Sequence, residues 1–93
     1  MSDLRETFDA FASELAPLCR HISVRTDENG PYIFALGLKD THTLQLRRVG
    51  TLYVVELWHG QTSEVERIVD KPKFSEAQAA FDAAKAWLMN DAI

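Results

Sequence analysis

The chain offers few residues on which chemistry or targeting could be built. It holds a single cysteine, Cys19, so no disulfide can close within it, and a reducing, cytoplasmic setting is expected. A lone thiol without a neighbouring base and orienting group reads as a small apolar residue at a helix-to-strand junction. The apolar runs fall far short of the roughly 20 residues needed to span a bilayer, and no basic stretch leads into an apolar one at the start. A soluble protein without a signal peptide is therefore expected. The four glycines are isolated, which excludes a phosphate-cradling loop. Gly-x-Ser-x-Gly, His-Glu-x-x-His and Cys-x-x-Cys patterns are all missing. The expectation is a protein that is not an enzyme and uses no cofactor and no metal.

Positive charge is also in short supply. Ten Lys and Arg stand against 14 Asp and Glu, for a net charge of −4. Residues 1–18 carry −3 and residues 75–93 carry −2, while the middle of the chain is +1. An acidic protein repels nucleic acid at long range, so such binding would need a local basic patch.

What is present is the composition of an ordinary globular protein: 46% apolar and 26% charged residues in a chain of 93. Residues 1–93 are read as one α+β domain with a single modest core. A first helix is expected from Ser2 or Asp3 to about Ala16. Asp3 and Glu6 make a capping-box start, Leu4, Phe8, Phe11, Ala12 and Leu15 fall on one face, and Pro17 ends the helix. Ser75 and Gln78, again a capping-box pair, open a second helix that runs to about Asn90. Its buried stripe is Ala77, Ala80, Phe81, Ala84 and Leu88, with Trp87 at the edge.

Between the helices the apolar period drops to two. Strands are expected at His21–Thr26, Tyr32–Lys39, Thr43–Val49 and Leu52–His59, with a weaker fifth at Glu64–Asp70 closed by Pro72. Short loops demand antiparallel neighbours, hence a meander in order 1-2-3-4-5 with both helices on one face. A two-residue turn at Gly50-Thr51 sets Val49 opposite Leu52 and Leu46 opposite Val55. A three-residue loop at Asp40-Thr41-His42 would set Leu36 opposite Leu46 and Leu38 opposite Leu44. The core face would then be Phe34, Leu36, Leu38, Leu44, Leu46, Val55 and Leu57. Glu64 and Glu66 read as charges on an edge strand.

The same registers leave an outer face with Ile33, Ala35, Gly37, Gln45, Arg47, Val54, Glu56 and Trp58. Of these, Ile33, Arg47, Val54, Glu56 and Trp58 are the candidate interaction surface, because Trp and Arg amid apolar residues suit an interface. His42 and His59 should meet at one end of the sheet, where zinc would need a third ligand such as Asp40; surface histidines without a role are the commoner case. For single-stranded nucleic acid, Lys39, Arg47 and Arg48 with Tyr53 and Trp58 would be the groups, but the arginine doublet points to both faces.

The function these observations favour is a protein–protein interaction module, self-associating as a homodimer through the outer sheet face or an edge strand. An acidic adaptor for another protein, similar in layout to small secretion chaperones, is the second reading. A single-strand binder using the sheet is the third, with nucleic acid disfavoured as a partner and no membrane involved.

Overall fold

The computed structural model describes residues 3–39, 41–60 and 68–92. Helix α1 (Leu4–Leu15) starts where Asp3 accepts the Glu6 N–H at 2.8 Å, and it runs into a 3₁₀ turn at Ala16–Leu18 that contains Pro17. Then come β1 (Cys19–Asp27), β2 (Gly30–Gly37), β3 (His42–Val49), β4 (Leu52–His59), β5 (Ile68–Asp70) and β6 (Lys73–Phe74), and finally α2 (Ala77–Ala92). The strands pair antiparallel in the order β1-β2-β3-β4-β5, and both helices pack on the sheet, which stays open. That is the expected α+β layout.

β6 was not anticipated. It pairs with β4 through Tyr53 and Val54, while β5 pairs with β4 further along, at Leu57 and Trp58. The break between them falls at Lys71-Pro72, where proline has no N–H to offer the ladder. The Pro72 carbonyl still accepts the Val55 N–H at 3.0 Å, so the two short strands continue one edge. Residues 64–67 of the expected fifth strand, and the Asp40 of the expected histidine site, lie outside the described residues.

The hairpin β3–β4 has the expected register, with Leu46 opposite Val55 and Leu44 opposite Leu57. Gly50 takes φ 64°, the left-handed value that its tight turn needs. The register of β2 against β3 is different from the expected one. Ile33 pairs with Leu46 and Ala35 with Leu44, a shift of three residues that reverses which side chains face the helices. Ile33 is 0% exposed in the core, whereas Leu38, expected in the core, is 47% exposed. Phe34 and Leu36 turn to the outer face. The physical reason lies in α2: Ala35 and Gly37 let this helix come close, and larger side chains there would hold it off. At Gly37 a Cβ would stand 2.8 Å from Asp91 Cγ and 2.9 Å from its Cβ.

The core lies between the sheet and the helices. Phe8 and Leu15 of α1 and Ala80, Phe81, Ala84 and Leu88 of α2 meet Ile33, Ala35, Leu44, Leu46, Val55 and Leu57. Each large side chain buried here contributes about 1.5–3 kcal/mol. Phe11 and Phe81, with ring centres 4.7 Å apart, tie the two helices together. The capping box expected at Ser75 does not form among the described residues. The Gln78 amide instead donates to Asp82 Oδ1, one turn on, at 3.1 Å.

Candidate functional site

The observed registers arrange the outer face as three rows across β1 to β4. They are His21–Leu36–Thr43–Trp58, Ser23–Phe34–Gln45–Glu56 and Arg25–Tyr32–Arg47–Val54. Of the five residues expected at the interaction surface, Arg47, Val54, Glu56 and Trp58 are on this face. Ile33 is not; it belongs to the core, because β2 is paired three residues away from the expected register.

Two of the four are covered already. Trp58 is 1% exposed and Val54 3%, so neither is a free anchor. Trp58 pairs with Ile68 on β5 and stands 6.3 Å, centre to centre, from the Phe34 ring. Its buried indole N–H finds no hydrogen-bond partner among the described residues. Trp58 is thus a packing residue of the outer layer.

The surface that remains is centred on β2. Tyr32, Phe34 and Leu36 are half-buried there, and sequence reasoning assigned Phe34 and Leu36 to the core. Two arginines lie on the aromatic rings: the Arg25 guanidinium is 4.7 Å from the Phe34 centre, and that of Arg47 is 4.7 Å from Tyr32. Arg47 also reaches Asp27 at 3.3 Å, while Arg25 Nε donates to Ser23 at 3.0 Å. Arg25 has no carboxylate partner among the described residues, and neither has Glu56 an ion pair.

The groups weighed for nucleic acid are divided by the fold. Arg47 is on the outer face, whereas Arg48 lies over Tyr53, which packs on the helix side, and Trp58 is buried. An open cleft of about 300 Å³ lined by Asn29, Arg47, Arg48, Val49 and Gly50 sits at the hairpin tips. Both of its arginines are engaged, Arg48 by the Gly50 carbonyl at 3.1 Å.

At the other end of the sheet, on the helix side, the expected meeting of His42 and His59 occurs. They are cross-strand partners with ring centres 5.0 Å apart, and the Trp87 ring lies 4.4 Å from the first and 5.3 Å from the second. Trp87 is fixed by its indole N–H, which donates to the Thr43 carbonyl at 3.0 Å. Behind the rings is Asp91, 1% exposed, at the end of α2. Its carboxylate accepts the Lys39 N–H at 2.9 Å, the Thr41 hydroxyl, and His42 Nδ1 at 3.1 Å. Burial by itself would raise the Asp91 pKa, but the Thr41, Lys39 and His42 hydrogen bonds and the His42 charge outweigh it and hold the carboxyl below its usual range.

Sequence reasoning missed Asp91, although a signal was there. Positions 80, 81, 84, 88 and 91 continue one helical stripe, and a carboxylate on that stripe near a helix C-terminus opposes the dipole. Such a placement needs specific partners, and Lys39, Thr41 and His42 supply them.

Cys19 is half-buried at the start of β1, and burial pushes its thiol up to about 11, so it is protonated at neutral pH. No helix among the described residues is long and apolar enough to cross a membrane. Neither a protein-family model, nor a curated protein, nor a solved structure gives a significant match to the chain.

Proposed function

We propose that this domain is a non-enzymatic protein-binding module that self-associates through the outer face of its sheet. The observation that carries the reading is the division of the sheet. Both helices lie on one face, and the other presents half-buried Tyr32, Phe34 and Leu36 framed by Arg25 and Arg47. Aromatic residues and arginine are what interface centres favour. Because each arginine already lies on a ring, the aromatic faces are not free to stack on bases, which favours a protein partner over a single strand.

A second copy is the partner that fits the charges. A two-fold axis along the strands lays β1 of one protomer over β4 of the other, with the sheets about 10 Å apart. Arg25 then stands one row from the Glu56 of its partner, and each supplies a charge that the other does not find among the described residues of its own chain. Pairing through the free edge of β1 is less favoured. That strand carries a bulge between Cys19 and His21 and exposed Arg20 and Arg25, devices that discourage edge pairing.

Light scattering over a wide concentration range tests the reading. A dimer is expected, with Phe34→Glu giving folded monomer. Arg25→Glu should weaken association, and adding Glu56→Arg should restore it. A parent protein that stays monomeric at high concentration, or a Phe34→Glu variant that still dimerises, overturns the proposal. Trp58→Asp is not a useful probe, because a charge at this buried position is expected to unfold the domain.

A further inference from the structure

The cluster where α2 meets the ends of β3 and β4 has a feature that ring packing alone does not require. Both imidazoles are held by the same ring nitrogen. The Asp91 carboxylate is ionised and can only accept, so His42 Nδ1, at 3.1 Å, carries the hydrogen. The Thr41 carbonyl can only accept as well, so His59 Nδ1, at 3.0 Å, also carries its hydrogen. In the neutral form of each ring the lone pair is therefore on Nε2. A carboxylate or backbone carbonyl holding one ring N–H, with the other nitrogen left open, is how metal-ligating histidines are oriented.

The spacing agrees. Two imidazoles bound to one tetrahedral ion through Nε2, with metal–nitrogen bonds of about 2.1 Å, have ring centres about 5 Å apart. The observed separation of His42 and His59 is 5.0 Å. Their relation is also rigid, because they are paired residues on adjacent strands.

The geometry points to a transition-metal site in which Nε2 of His42 and Nε2 of His59 bind one divalent ion of the zinc or copper type. Imidazole nitrogen suits these ions, and copper binds a given nitrogen site more tightly than zinc. Among the described residues, no group of three or more His, Cys, Asp and Glu could hold a metal ion. The Asp91 oxygens are taken by Lys39, Thr41 and His42, so Asp91 positions His42 and does not ligate. Solvent completes the coordination from the side of His59, which is exposed. The ion is therefore exchangeable, unlike one in a closed four-residue structural site. The site is on the helix side and is independent of the outer-face interface.

Calorimetric titration of the full chain with Zn²⁺ tests this. Saturable binding of one ion per chain is expected, weakened by an order of magnitude or more in His59→Ala and in His42→Ala. His59→Ala is the decisive variant, because its side chain is exposed and its loss should leave the protein folded, with a cooperative melt. His21→Ala, which removes the exposed histidine on β1, should bind as the parent does. Copper(II) should quench Trp87 fluorescence, and Trp87→Phe should lose that quenching while keeping Zn²⁺ binding. No saturable heat, or Zn²⁺ binding that survives His59→Ala, overturns the site. Equal weakening by His21→Ala overturns it too.

Discussion

Replacing Gly37 with alanine should cost far more than one methyl group suggests. The added Cβ would stand 2.8 Å from Asp91 Cγ and 2.9 Å from Asp91 Cβ, and Asp91 cannot retreat without leaving its partners. The carboxylate accepts from the Lys39 N–H, the Thr41 hydroxyl and His42 Nδ1. Hydrogen bonds to a charged group are worth about 1.5–3 kcal/mol each. Lys39 and Thr41 are exposed, so water can replace part of what they lose. The lower chain entropy of alanine in the unfolded state returns about 0.4–1 kcal/mol. The net expectation is a loss of about 3 kcal/mol, a large part of the 5–15 kcal/mol that typical domains have. For a chain of this size, that lowers Tm by roughly 12–24 °C.

Urea unfolding followed by circular dichroism would measure the loss, with thermal melts as the second reading. A double-mutant cycle isolates the cause. Once Asp91→Gly has removed the whole obstructing side chain, Cβ included, adding Gly37→Ala should no longer destabilise the protein. A Gly37→Ala protein within about 0.5 kcal/mol of the parent, or full additivity in the double variant, would refute the argument.

Two further predictions concern pH. The folded-state pKa of Asp91 is below its ordinary value of 3.8, so the stability it contributes is present above that value and is lost as the pH falls through the folded pKa. In buffer with a chelator, Asp91→Asn should remove this acid-sensitive component; an unchanged pH profile for unfolding would count against the assignment. The Cys19 thiol, pushed up to about 11, should react with a disulfide reagent slowly near neutral pH and accelerate until about pH 11. Relative to the urea-unfolded chain, whose thiol pKa is near 8.5, the thiolate fraction at pH 7.5 is about 300-fold lower and the reaction should be slower accordingly; equal rates would show that burial does not control this thiol.

Local signals in the sequence were enough for most of the architecture. Asp3, Glu6 and Pro17 bounded α1, and the alanine-rich stripe placed α2, because capping and period act over a few residues. The β3–β4 hairpin was readable because Gly50 fixes the turn and, on β3, Leu44 and Leu46 alternate with Thr43, Gln45 and Arg47, which sets Val55 and Leu57 on the same face. β2 was different. Its run from Tyr32 to Leu38 is apolar on both faces, so the pattern contains no parity to read, and the register depended on an assumed loop length. The interaction surface inherited that error at Ile33, while Phe34 and Leu36 were lost to the core.

The sequence by itself determined the number and kind of the main elements, their meander order and the meeting of His42 with His59, since each follows from neighbours along the chain or across one tight turn. Only the tertiary structure decided which side of β2 faces inward. The close approach of α2 admits Ala35 and Gly37 but not Phe34 and Leu36. The partnership of Asp91 with Lys39, Thr41 and His42 was likewise decided there. It joins residues some fifty positions apart, and no local period or turn rule reaches that far; the packing of the last turn of α2 over the end of the sheet is what brings them together.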